Sequence, residues 1–219
     1  MSKPFIHPQL ASFLRAVIDY TRSGYLRYTH GVVSQDKCQR LNDKFAILYQ
    51  SNADRNQRYR LKQKDIAPTV LLFRRIDDEL VQWLLLVHAE GESVAARCES
   101  LQWLNNNKSR LNVAGFELIR RQDPGKFNPS DKGKLRWTWR MDKALESAIR
   151  GRIIESIRHH DDRELARIQK ELWAMPGFAG VRVQIGKTTA LARAEWKRSR
   201  SSQWSEWPKF LPYITRRQG

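Results

Sequence analysis

The apolar residues change their period at Asp142, and that switch limits the architectures open to the chain. Before it, Leu135, Trp137, Trp139 and Met141 alternate with Lys134, Arg136, Thr138 and Arg140. A period of two predicts a strand with one core face and one cationic face. After it, Leu145, Ile149, Ile153 and Ile157 recur every four residues behind an aspartate suited to N-capping, which predicts an amphipathic helix. Four strands therefore end at this point, with two helices expected before them and three after. No βαβ alternation is visible, so the fold class expected is α+β rather than a doubly wound sheet.

Upstream, Thr69 to Phe73 and Leu80 to His88 read as strands joined by a turn at Ile76-Asp77-Asp78-Glu79, the second apolar enough to be covered on both faces. Phe116 to Arg121 pairs with the strand at Lys134 to Met141 as a hairpin. Its loop, Gln122 to Gly133, holds two prolines and two glycines and is expected to be mobile. Near the N-terminus, Ser12 to Ile18 predicts a short helix ended by Ser23-Gly24, and Tyr25 to Val33 a strand or extended turn. A second helix follows Ser34, with Cys38, Leu41, Phe45 and Leu48 as its apolar stripe. Near the C-terminus, Asp161 or Asp162 caps a helix with Leu165, Ile168 and Leu172 inward, and a last helix is expected from about Gln184 to Arg198. The tail carries Trp204, Trp207, Phe210 and Tyr213, too aromatic for a solvated linker. The expectation is a single α+β domain: a basic helical part over 1–66, a small antiparallel sheet of about four strands over 67–141, and a basic helical part over 142–219.

Charge is the strongest functional signal. The chain of 219 residues has a formal net charge of +17. Residues 1–66 hold 12 basic and 5 acidic residues, residues 67–132 hold 9 of each, and residues 133–219 hold 19 basic and 9 acidic. Arginine outnumbers lysine by 26 to 14, and a guanidinium offers phosphate a planar fork where an ammonium is a point charge. Basic residues interleaved with aromatics point to nucleic acid, because cations release counterions from phosphates and an exposed ring stacks on an unpaired base. The residues expected to bind are Arg55, Arg58, Tyr59, Arg60, Lys62 and Lys64 in a segment too polar for burial; Lys134, Arg136 and Arg140 on the cationic strand face; and Arg182, Lys187, Arg193, Lys197 and Arg198. Arg200 extends the last run. The sequence does not choose between DNA and RNA.

Catalytic and metal motifs are weak. Gly186-Lys187-Thr188-Thr189 resembles the end of a P-loop, but Val181 stands where that motif needs its first glycine. Lys187 at the start of a helix could still meet a phosphate with help from the helix dipole. His159-His160-Asp161-Asp162 is the densest group of metal-ligand types, yet adjacent helical residues point about 100° apart and cannot converge on one ion. Cys38 and Cys98 form no CxxC and read as buried free thiols. No cofactor or metal is expected. The enzyme alternative is a metal-independent endoribonuclease using His30 or His88 with Tyr28. A third reading is an interaction subunit whose basic faces meet other proteins of a nucleoprotein complex. The longest apolar run, Trp83 to Val87, is far short of a membrane span, and the N-terminus has no apolar signal region. A cytoplasmic, non-membrane protein is expected.

At Trp137-Thr138-Trp139-Arg140-Met141, and from Pro176-Gly177-Phe178-Ala179-Gly180 through Val181-Arg182-Val183-Gln184-Ile185-Gly186-Lys187, the chain resembles uncharacterised proteins of proteobacterial plasmids and integrative conjugative elements. The resemblance covers about half of the chain. It implies a role in replication, transfer or control of a mobile element and supplies no catalytic residues.

Overall fold

The structure, a computed structural model, describes residues 3–106, 110–123, 129–204 and 207–208. It is an α+β protein that divides into two compact units, Met1–Arg110 and Leu111–Gly219. Where the sequence suggested one sheet of about four antiparallel strands, the described residues form two, and each unit is built around its own. The two predicted hairpins never pair with each other, since the first closes on strands from the N-terminal segment.

The first unit runs β1 (Ile6–His7), α1 (Leu10–Arg22), β2 (Tyr25–Ser34), α2 (Cys38–Tyr49), α3 (Arg55–Gln63), β3 (Thr69–Arg75), β4 (Leu80–His88), α4 (Val94–Cys98) and β5 (Gln102–Trp103). Its sheet has the order β1-β3-β4-β2-β5, with β1 parallel to β3 and the other pairs antiparallel. As its composition requires, β4 is central and covered on both faces. Leu85 and Val87 cluster with Phe45 and Tyr49 of α2 and Ala95 of α4, while Leu84 and Leu86, pointing to the opposite face, are buried too. α1 packs on β2 and β3 and buries Phe13, Leu14, Val17 and Ile18. It ends at Arg22, at the Ser23-Gly24 stop that the sequence marks, with Arg15 paired to Asp19 one turn on and the Thr21 hydroxyl donating to the Val17 carbonyl. Gly24 then ends the approach to β2 at φ +93°, where an added Cβ would lie 2.5 Å from Nε2 of His88. In α2, Phe45 and Cys38 are inward as expected, but Leu48 lies half exposed. Cys98, at the end of α4, is exposed rather than buried.

The second unit comprises β6 (Asn112–Val113), β7 (Phe116–Gln122), β8 (Leu135–Met141), α5 (Lys143–Arg158), α6 (Asp162–Ala174) and α7 (Ala179–Ser199). Its sheet is β6-β7-β8, all antiparallel. Asp142 caps α5 by accepting from the Leu145 amide at 2.8 Å, and Asp161 caps α6 by accepting from Glu164 at 2.9 Å. Ile149, Ile153 and Ile157 of α5 and Leu165, Ile168 and Leu172 of α6 are buried. Arg152 joins the two helices through Glu164 and Glu171. Trp207 is buried and meets Trp173 edge-on, and Trp204 meets Trp196 in the same way. Phe210, Tyr213 and residues 124–128 of the hairpin loop lie outside the described residues.

Candidate nucleic-acid interface

α3 is the most unusual helix in the first unit because it buries none of its nine residues. A helix this short is marginal in water without help. Part of that help is a capping box: the Asp54 carboxylate accepts from the Gln57 amide, and the Gln57 side chain accepts from the Asp54 amide, both at 2.8 Å. The rest comes from rings beneath it. The Arg58 guanidinium lies 5.5 Å from the Tyr20 ring centre, and the Lys62 ammonium lies 5.8 Å from that of Tyr25. Arg55, Tyr59, Arg60 and Lys64 are left facing outward, with Tyr59 64% exposed. Among the described residues, no carboxylate reaches ion-pair distance of Arg55, Arg60, Lys62 or Lys64.

The cations of the second unit are arranged differently. On β8, Arg136 pairs with Asp123 at 2.7 Å, and Arg140 pairs with Glu117 on the neighbouring strand. Lys134 is exposed. Thr138, expected on the solvated cationic face, is buried because the start of α7 lies across it: its hydroxyl accepts from the Gly180 amide at 3.2 Å. Leu135, expected in the core, is instead 53% exposed. The alternation on β8 thus holds for Trp137, Trp139 and Met141 but fails at its outer end, where no helix among the described residues covers the strand.

α7 begins at Ala179, five residues before the predicted start. Lys187 consequently lies in the helix interior, too far from the N-terminus for the helix dipole to act on a phosphate there. The Gly186-Lys187-Thr188-Thr189 stretch is continuous helix and not a phosphate loop. Lys187, Arg193, Lys197 and Arg198 are exposed, while Arg182 is partly buried. Glu195, itself buried, takes Arg198 at 2.6 Å and Arg158 from α5 at 2.6 Å. These guanidinium groups hold the Glu195 carboxyl below the usual carboxylate range. Arg200 is not a surface cation: its guanidinium donates to the carbonyls of Ser156 and Ile157 and to Asp162, and only 5% of its side chain is exposed. A further basic concavity of about 660 Å³, lined by Arg120, Arg121 and Lys132, opens at the end of the β7–β8 hairpin. It also contains the Asp123 carboxylate that Arg136 occupies.

The histidines do not assemble. His30 is exposed and pairs across the sheet with Leu84, whereas His88 pairs with Tyr25, four residues further along β4 and so about 13 Å away. Tyr28 and His30 stack with ring centres 6.0 Å apart, but Tyr28 is buried and its hydroxyl donates to Gln102 at 2.7 Å. His88 is buried beside Gly24, and burial lowers its proton affinity. In the His159-His160-Asp161-Asp162 run, Asp161 caps α6 and Asp162 accepts from Arg200. Among the described residues, no group of three or more metal-ligand side chains converges, and no helix is long and apolar enough to cross a membrane.

No protein family, curated protein or solved structure matches the chain. The site therefore rests on its own geometry. That geometry brings in residues that the sequence alone does not single out, namely Tyr20, Tyr25, Arg27 and Trp103. Arg27 stands opposite Trp103 in the β2–β5 pairing, with its guanidinium 5.8 Å from the ring centre. The two are far apart in the chain, and neither sits in a charge run, so no local signal marks them.

Proposed function

We propose that this is a non-catalytic, cytoplasmic nucleic-acid-binding protein that grips the phosphate backbone, with α3 as its principal contact. The observation that carries this reading is the contrast between the two basic ends. Arg136, Arg140 and Arg198 are engaged by carboxylates of their own unit, whereas Arg55, Arg60 and Lys64 project from a helix region with no buried side chain and no carboxylate at ion-pair distance among the described residues. A helix so built, held from below by a capping box and two cation–ring contacts, presents charge outward at a fixed geometry. Lys187 and Lys197, exposed on α7, supply further phosphate contacts. The resemblance to mobile-element proteins would set this binding in replication, transfer or its control.

The test is fluorescence anisotropy of labelled single-stranded RNA, single-stranded DNA and duplex DNA across a salt series. Affinity should fall linearly with salt on logarithmic axes. The Arg55→Glu/Arg60→Glu protein should bind more weakly and show a slope shallower by about one for each phosphate it no longer neutralises. Unchanged affinity and slope would refute the reading.

A further inference from the structure

The geometry points to a binding track for single-stranded nucleic acid across one end of the first unit's sheet, from Tyr59 on α3 to Trp103 on β5. This deepens the nucleic-acid reading and rests on it. The track begins at the exposed ring of Tyr59. Lys62, three residues on and so on the same side of α3, reaches over the ring of Tyr25. Tyr25, at the start of β2, meets His88 at the end of β4 edge-on, with ring centres 5.5 Å apart. The His88 carbonyl in turn accepts from Nε and Nη2 of Arg27 at 3.1 and 2.6 Å. That pair of hydrogen bonds fixes the guanidinium beside Trp103, which is 46% exposed. β2 shifts register between Tyr25 and Arg27, the kind of irregularity that re-aims a side chain at the rim of a sheet.

The result is an exposed ring at each end and two cations between them, of which Arg27 is fixed by its hydrogen bonds. In a duplex the base faces are already stacked on one another, so exposed rings have nothing to receive. In a single strand each base offers a free face and each linkage a phosphate, and a ring–cation–cation–ring order matches both. Sequence-tolerant binding is expected, because every base has a π-face to offer and no base-edge reader is required.

The test uses the full chain and four labelled probes of equal length: oligothymidylate, oligouridylate, a mixed-sequence single strand and a DNA duplex. Trp103→Ala, Trp103→Phe and Tyr59→Ala are compared with the parent, each checked by thermal melting. Both rings are exposed, so their truncation leaves the core intact. The single strands should bind more tightly than the duplex. Trp103→Ala should weaken them by about tenfold, Trp103→Phe should restore most of that loss, and duplex binding should not move. If the duplex binds as well as the single strands, or if Trp103→Ala weakens all four probes equally, the track is wrong while the charge-based reading stands. If no probe binds at low salt, both fail.

Discussion

The guanidinium of Arg200 lies 4.3 Å from the ring centre of Trp196 and donates to the last carbonyls of α5. It closes the C-terminal end of that helix in the way a capping side chain closes an N-terminus. Arg200→Met keeps the apolar stem but leaves those carbonyls without their charged donor. It should cost the second unit about 2 kcal/mol, measurable as a lower midpoint in urea, with nucleic-acid affinity unchanged. His88 makes a contrasting case in the first unit. Burial lowers its proton affinity in the folded state, so unfolding takes up a proton wherever the free imidazole would be charged. Its contribution is complete above about pH 6.5 and declines as the pH falls below that. Thermal melting of the parent should therefore show the first unit losing stability between neutral and mildly acidic pH, and His88→Gln should reduce that dependence, leaving the share of His7, which burial shifts in the same direction. Neither role is visible in a sequence, where Arg200 is the last member of a basic run and His88 a lone histidine at a strand end.

Helix ends and strand interiors are where local chemistry and observed structure agree best. Asp142 and Asp161 cap the helices they precede, and β4 is buried on both faces, because each depends on a few adjacent residues or on composition alone. The misreadings fall where a distant segment decides. Thr138 is covered because α7 crosses it, Leu135 is left exposed because no described helix reaches it, and α7 starts early because its first turn packs on β8. α3 is legible as an exposed basic segment but not as a helix, since an apolar stripe is the usual marker and it has none. Its dependence on the capping box is testable. Asp54→Ala should cost that segment about 1 kcal/mol, seen as faster amide exchange across 55–63, and should weaken nucleic-acid binding while the melting of the first sheet stays unchanged.

Acid should act differently on the second unit, whose helices are also joined by ion-paired carboxylates. Glu195 is kept ionised by Arg158 and Arg198, and Glu171 by Arg152. Both bind protons less readily when folded than when unfolded. Their contribution is therefore complete above about pH 4.3 and is lost as the pH falls through their lower folded values. Acid titration followed by tryptophan fluorescence of the Trp173, Trp196 and Trp204 group should show a transition below about pH 4 that Glu195→Gln reduces. The division into two units is the feature least open to sequence reading. A sheet boundary is set by which strands pair, and the partners of β3 and β4 lie far upstream, in a segment that reads as mainly helical.

Every pairing of the first sheet, from Ile6 to Trp103, is made by residues synthesised before β6, so all of them emerge from the ribosome while the helices of the second unit are still being made. The parallel β1–β3 pairing is slow to form because its closure reaches from Ile6 to Phe73, yet both of its strands are already in hand at that point. The N-terminal unit can thus complete its folding during translation, and its basic helix is assembled while the rest of the polypeptide is still being made. A fragment of residues 1–110, expressed alone, should accordingly melt cooperatively.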